Sequence, residues 1–154
     1  MSRNVVVTSG ESPFLQEISI GPHHLKADEP PASGGEDAGP NPYELLLAAL
    51  GACTGMTLRT YAARKGWPLR TVPVRLTHEK VYAEDCVECK SKEGRLDLIK
   101  REILLIGELS QEQRHRLLEI ADRCPVHRTL TSQVRIETST PPSNVSEGED
   151  KVVA

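Results

Sequence analysis

The order of the elements along the chain predicts an α+β fold, with antiparallel sheets around one long, buried central helix. Short strand-like segments lie before and after a single long helix and do not alternate with helices, as a parallel sheet would require. The long helix is apolar on every face over residues 45–53, which is typical of a helix in the core. The length of 154 residues suits one domain, which we predict over residues 1–138.

The N-terminal part predicts a small group of strands followed by a loop. Residues 3–8, 14–20 and 23–29 are predicted strands, because β-branched and other apolar residues cluster or alternate in them. Residues 30–41 are rich in proline and glycine, which interrupt regular structure, and are predicted to form a loop. Asn41 is a favourable N-cap residue and Pro42 a favourable first helical residue, so we predict the central helix over residues 42–65.

The C-terminal half predicts a long hairpin and two helices. Residues 71–83 and 95–106 alternate in polarity and are expected to pair across the polar loop 84–94. Ser110 and Gln113 have the spacing of a capping box at the start of a second helix, predicted over residues 110–124.

The last part of the chain predicts three short segments. A turn of helix is expected over residues 125–130 and a final strand over residues 132–138. Residues 139–154 contain few large apolar side chains and are expected to be a disordered tail.

The composition excludes several classes of protein. With 19 basic and 22 acidic residues, the basic ones scattered, the chain shows no footprint of nucleic-acid binding. No apolar run approaches the roughly 18 residues of a membrane helix, and the N-terminus lacks a secretory apolar region. We therefore expect a cytoplasmic protein, in which thiols are reduced and four cysteines favour catalysis, redox chemistry or metal binding over structural disulfides.

Cys53 and Cys124 are the first candidates for chemistry. Cys53 lies inside the central helix between Gly51 and Gly55, each of which costs a helix interior roughly 1 kcal/mol relative to alanine. Cys124 directly precedes Pro125 at the end of a predicted helix. Two cysteines of this kind suit a thiol peroxidase if they meet in space, but a free cysteine is more often a small buried apolar residue.

Two segments resemble the OsmC/Ohr family of osmotically inducible and organic-hydroperoxide-resistance proteins. They read NPYELLLAALGACTGMTLRTYA and ADRCPVHRTL. The resemblance implies an intertwined homodimer with shared active sites, in which Cys53 is the peroxidatic and Cys124 the resolving cysteine. It also implies a small hydroperoxide substrate, an external dithiol reductant, no cofactor, and a role in oxidative-stress defence. In such a dimer Gly51 and Gly55 would let a second helix come close and leave room beside the thiol.

The chain departs from the peroxidase members of this family at the residues that support the thiolate. Tyr43 stands where those members have a glutamate, and Glu44 follows one position later. No arginine occurs in residues 4–58, where the family's supporting arginine is expected. These departures favour the alternative of a non-catalytic redox or electrophile sensor, or a module that binds a small apolar ligand. The candidates for a supporting group, each of which could equally be a solvated surface residue, are Tyr43, Glu44, His23, His24, His127 and Arg128.

A second pair of cysteines lies in the predicted hairpin loop. Cys86 and Cys89 form a C-x-x-C motif, which can be a redox dithiol, half of a zinc site with His78 as a further ligand, or without function. The loop is similar to that of a divergent subgroup of OsmC-like proteins, some of which are fused to α/β-hydrolases. No G-x-S-x-G motif occurs in this chain, so it is not itself such a hydrolase.

Overall fold

The computed structural model describes residues 3–87, 90 and 93–142. The chain forms two compact units, one of Met1–Pro42 with Val134–Ala154 and the other of Tyr43–Gln133, and each is described by itself. All the strand pairs in the described residues are antiparallel, which confirms the α+β prediction. Most of the predicted disordered tail, residues 143–154, lies outside the described residues.

The first unit contains a three-stranded sheet. Strands β1 (Val5–Ser9), β2 (Gln16–Ile20) and β3 (His23–Ala27) lie within the three predicted strand segments and pair in sequence order. Gly21 has a φ of 57° in the tight turn between β2 and β3, a conformation that favours glycine. The valines of β1 are 49–58% exposed, so this edge strand presents an apolar surface.

The loop after β3 is held together by one buried carboxylate. Asp28 accepts backbone hydrogen bonds from Glu29 at 2.8 Å, Glu36 at 3.2 Å and Ala38 at 3.1 Å. The hydrogen bond from Ala38 has the largest effect and, despite opposition from burial, the pKa of Asp28 is lowered. The proline- and glycine-rich loop is therefore irregular, as predicted, but has a defined conformation.

The second unit is built on helix α1 (Pro42–Lys65), which has the predicted bounds. Its buried residues, Leu50, Thr54, Leu58 and Ala62, recur every four positions and so form one stripe. Burial within this chain is confined to that stripe, although the first half of the helix is apolar on all faces.

The predicted hairpin consists of β5 (Val74–Tyr82) and β6 (Arg95–Ile103), paired along their whole length. The prediction extended the second strand to residue 106, but Leu104 instead bonds to the carbonyl of Pro73 and the chain turns away. A short pair, β4 (Leu69–Thr71) with β7 (Ile106–Gly107), follows from this turn. Sequence analysis missed it because two or three residues are too few to show alternation.

Helix α2 (Gln111–Ala121) and helix α3 (Pro125–Leu130) complete this unit. The predicted capping box at Ser110 and Gln113 is present, with both reciprocal hydrogen bonds formed. One face of α2 packs on α1 and the short strand pair. This core contains Leu58, Ala62, Leu69, Leu105, Leu117, Ile120 and Ala121.

The predicted final strand over residues 132–138 is wrong, because no strand forms there in the described chain. Val134 and Ile136 alternate with polar residues as in a strand, but they are 56% and 84% exposed. Alternation indicates a half-buried surface only where a neighbouring strand supplies hydrogen bonds, and none of the described strands pairs with this segment.

Candidate active site

The two free cysteines of the described residues lie close enough to influence each other. Cys53 lies in the middle of α1 and Cys124 directly before α3, and each thiol affects the pKa of the other. Cys53 is partly exposed, whereas Cys124 is completely buried. Solvent therefore reaches Cys53 more readily than Cys124.

Hydrogen-bond donors converge on the Sγ atom of Cys124. This residue is the N-cap of α3, and its Sγ accepts from the backbone N–H of His127 at 3.5 Å. Burial alone would raise the pKa of Cys124, but hydrogen bonds from the Cys53 thiol, the N–H groups of His127 and Val126, and the Thr54 hydroxyl together lower it. Because each donor favours the negative form of sulfur, Cys124 is the better thiolate of the pair.

The pKa of the Cys53 thiol is shifted in the opposite direction, upward. Burial raises the pKa of Cys53, and its hydrogen bond to Cys124 and the charge there raise it further. The N–H of Val126 and the hydroxyl of Thr57 act in the other direction without reversing the shift. The directions of the two pKa shifts therefore favour Cys124 over Cys53 as the thiolate of the pair.

An arginine that sequence analysis missed lies beside the thiol pair. Arg101, on β6, is largely buried, with 12% of its side chain exposed. Its Nη1 donates to Thr54 Oγ1 at 3.0 Å and to the carbonyl of Ala121 at 3.5 Å, and its Nη2 donates to Asp122 Oδ1 at 2.9 Å. In the sequence it is the middle one of three charged residues, Lys100, Arg101 and Glu102, and such a run does not point to a cysteine.

The predicted supporting residues next to Cys124 contribute in different ways. His127 supplies its backbone N–H to the sulfur, and its imidazole Nδ1 lies 3.9 Å from Asp122 Oδ1. The side chain of Arg128 is exposed, while its backbone N–H bonds to the carbonyl of Cys124.

The other predicted supporting residues occupy other parts of the molecule. His23 and His24 lie on β3 of the first unit, where His24 Nδ1 is 3.2 Å from Ser19 Oγ. Glu44 is an exposed residue in the first turn of α1. The ring of Tyr43 stacks on the imidazole of His78, with centroids 4.4 Å apart and planes within 8°.

The predicted metal or redox residues do not form a ligand cluster in the described chain. His78 Nε2 pairs with Asp97 Oδ1 at 2.7 Å, and Lys80 Nζ bonds to the same oxygen at 2.9 Å. Cys86 is disulfide-bonded, and Cys89 lies outside the described residues. Over the described ranges, no three His, Cys, Asp or Glu side chains are placed to hold a metal ion.

The two glycines beside Cys53 face different surroundings. A Cβ atom on Gly51 would lie 2.8 Å from Leu76 Cδ1, so the glycine makes room for the hairpin against α1. A Cβ atom on Gly55 would have no neighbour within 4 Å. Within the described chain, close packing therefore accounts for Gly51 alone.

A cavity of about 380 Å³ adjoins the arginine. Aliphatic side chains from α1, β6 and α3 form much of its wall, and Arg101 and His127 are its basic groups. It is lined by Leu50, Asp97, Leu98, Ile99, Arg101, His127, Leu130 and Thr131.

The sequence model of the OsmC-like proteins matches residues 34–139, which is more than half of the chain. The chain belongs to the OsmC-like family. Among solved structures, it resembles an OsmC-like protein from Mycoplasma pneumoniae, with a TM-score of 0.66, 17% identity, and coverage of 84% of this chain and 87% of the other. A search of curated proteins gives no match.

Two further similar structures carry names that refer to organic hydroperoxides. The organic hydroperoxide resistance protein OsmC of Legionella pneumophila is 19% identical, with a TM-score of 0.60 and coverage of 83% and 89%. The organic hydroperoxide resistance protein OhrB of Bacillus subtilis is 18% identical, with a TM-score of 0.59 and coverage of 85% and 91%. At these identities the likeness shows a shared OsmC-like fold.

Proposed function

We propose that this OsmC-like protein is a cytoplasmic thiol peroxidase that reduces organic hydroperoxides in defence against oxidative stress. The observation that carries the proposal is the pair of neighbouring free thiols, of which Cys53 is partly exposed and Cys124 is completely buried. A peroxidatic thiol has to meet substrate, and a resolving thiol has to lie close enough to close a disulfide. The two organic hydroperoxide resistance proteins of the same fold support this assignment.

The reaction begins with proton transfer inside the pair. The nucleophile must be a thiolate, and Cys53 can become one by passing its proton to the neighbouring Cys124 thiolate. Cys53 sulfur then attacks the outer oxygen of the hydroperoxide, the O–O bond breaks, and Cys53 is oxidised to a sulfenic acid. The departing alkoxide takes the proton from Cys124 and leaves as an alcohol.

The same proton movements prepare the second step. Cys124, again a thiolate, attacks the sulfenic sulfur of Cys53, the S–O bond breaks, and hydroxide leaves and is protonated to water. In sum, two thiols and one hydroperoxide give a disulfide, an alcohol and water, and an external dithiol restores the two thiols by exchange. No metal or organic cofactor takes part. The apolar residues of α1 around Cys53 favour an alkyl hydroperoxide over hydrogen peroxide.

The proposal is tested by adding one equivalent of cumene hydroperoxide to the reduced protein and following intact mass and free thiols. The wild type is expected to lose two hydrogen atoms and two thiols within seconds, and Cys53→Ser to react no faster than an exposed model thiol. Peptide mapping of the product should place the new disulfide between Cys53 and Cys124. If Cys53→Ser consumes hydroperoxide as fast as the wild type does, the proposal is wrong.

A non-catalytic sensor of oxidants or electrophiles is the second candidate. The raised pKa of Cys53 favours it, because a protonated thiol reacts slowly. Under this alternative the wild type forms the disulfide in a single slow event, and added dithiol does not sustain turnover.

We further propose that the protein is a homodimer with shared active sites, joined through the exposed face of α1. This face carries Ala49, Ala52, Met56 and Ala63, and Met56 is 70% exposed. Small residues allow close approach of a second helix, and Gly55 beside them has open space around it. By length and composition α1 is also long and apolar enough to span a membrane, but core helices of soluble proteins pass the same test. Because one stripe of α1 is buried within the chain, we propose that its exposed apolar face packs against a second copy of the protein.

The Met56→Glu substitution is expected to convert the dimer into a monomer, because it places a charge in the apolar contact. Light scattering after gel filtration should give twice the chain mass of 16.9 kDa for the wild type and the single mass for Met56→Glu. The matched control is Gln111→Glu, which adds the same charge at an exposed position in the first turn of α2, where it is tolerated. A monomeric wild type, or a Gln111→Glu protein that dissociates equally, would contradict the proposed interface.

A further inference from the structure

Arg101 is connected to the thiol pair by a single intervening side chain. The arginine donates to Thr54 Oγ1 at 3.0 Å, and the Thr54 hydroxyl in turn is one of the groups that lower the pKa of the Cys124 thiol. Thr54 and Cys124 are both completely buried. The contact spans 47 positions in the sequence and links β6 to the middle of α1.

The Thr54 hydroxyl has one proton and two possible acceptors. In the structure it donates to the carbonyl of Leu50 at 2.8 Å. That carbonyl also accepts the helical hydrogen bond from the Thr54 backbone N–H, so it stays satisfied if the hydroxyl turns away. Because Arg101 occupies a lone pair of Oγ1, it leaves the proton free to rotate toward a negative sulfur.

We propose that Arg101 is a positioning residue: by donating to Thr54 Oγ1 it orients and strengthens that hydroxyl as a donor to the Cys124 thiolate. Hydrogen bonds in a chain polarise one another, so a charged donor at one end makes the hydroxyl at the other end a better donor. This inference rests on the proposed function for its role in catalysis, where it supports Cys124 both as the base and as the resolving nucleophile. It also supplies, from β6, an arginine, a residue type that does not occur in residues 4–58.

The charged groups around the thiols explain why the arginine acts through Thr54. The groups on α1 in contact with the thiols are the neutral hydroxyls of Thr54 and Thr57. At the end of α2, Asp122 pairs with Arg101 at 2.9 Å and lies 3.9 Å from the imidazole of His127. The carboxylate of Asp122 opposes the positive charge of Arg101, and Arg101 contacts a group that acts on Cys124, the hydroxyl of Thr54.

The test is a pH titration of thiolate absorbance in the reduced protein, with no peroxide present. Thr54→Val and Arg101→Met are each expected to move the midpoint of Cys124 upward by about one pH unit, because a hydrogen bond to a charged group is lost. The double variant should show the same shift as Thr54→Val alone, since the arginine acts only through the hydroxyl. Thr54→Ser should restore the wild-type midpoint.

Two controls make the outcome decisive. Arg75→Met removes an arginine of an exposed ion pair on β5 and should leave the midpoint unchanged. If Arg101→Met does not fold, as judged by circular dichroism, Arg101→Lys keeps the charge but loses the fork of donors and should still shift the midpoint. Additive shifts in the double variant, or no shift in either single variant, overturn the inference. Because the titration needs no turnover, it also separates this inference from the peroxidase proposal, which the reaction with cumene hydroperoxide tests.

Discussion

Replacement of Cys124 by serine is expected to slow the reaction of Cys53 with an organic hydroperoxide about 10²-fold at neutral pH, in addition to preventing the disulfide. The reason is that Cys124 serves as the base that deprotonates Cys53, and a positioned base contributes roughly this factor. A serine hydroxyl has far too high a pKa to take the proton. If Cys124 were only a resolving residue, the first step would keep its rate.

The measurement is a single-turnover reaction under excess hydroperoxide, with the sulfenic acid of Cys53 trapped by dimedone and quantified by intact mass. The effect should depend on pH with a known sign: because burial raises the pKa of Cys53, the thiol is protonated at neutral pH and needs the base most there. As the pH rises through that pKa, hydroxide replaces Cys124 and the two rates should converge. The control is the joint replacement of Cys86 and Cys89 by serine, because replacing Cys86 alone would break its disulfide and release a further reactive thiol. An undiminished first step in Cys124→Ser would limit Cys124 to resolution.

Local sequence signals predicted the elements that carry the site. Asn41, Pro42 and the capping box at Ser110 and Gln113 fix helix ends through residues close in sequence, and the observed bounds of α1 and the start of α2 agree with them. The short strands β4 and β7 and the missing strand over residues 132–138 show the limit of such signals. The pairing of β4 with β7 follows from the turn at Leu104. Residues 132–138 form no strand because none of the described strands pairs with them.

The chemistry of the site could be predicted only in part. The two cysteines attracted attention by their positions, but nothing in 71 residues of separation required them to meet, and only the resemblance implied that they do. Arg101 could not be found because its connection to Thr54 arises from the packing of β6 on α1. Its position in a strand that alternates in polarity indicates an ordinary surface residue.

Tyr43 and Arg101 both bear on which charged groups lie near the thiols. The Tyr43 ring packs on His78 and so takes no part as a charged partner for the thiol pair. The cation and its carboxylate, Arg101 with Asp122, come instead from β6 and the end of α2. An arginine–carboxylate pair therefore lies next to Thr54, although the chain lacks the glutamate and the arginine that the peroxidase members have. This pair supports the peroxidase proposal.

The Leu117→Ala substitution is expected to lower the free energy of unfolding by roughly 2 to 5 kcal/mol, because Leu117 is completely buried in the core beside Leu58. This is a large share of the roughly 5 to 15 kcal/mol that a typical domain has. The cavity would also loosen the end of α2, from which the chain leads directly to Cys124. Urea unfolding followed by the fluorescence of Trp67, the single tryptophan, measures the loss.

The matched control lies one residue further along the same helix. Leu118 is also an apolar residue of α2, but it is 48% exposed. Leu118→Ala removes the same atoms and should cost less than about 1 kcal/mol, because little apolar surface returns to water and no cavity forms. Both variants are compared at one protein concentration, since a dimer's stability depends on it. Equal losses of unfolding free energy in the two variants would mean that Leu118 is as completely buried in solution as Leu117. That burial would require a second chain on this face of α2. The dimer contact would then lie on α2 and not on α1.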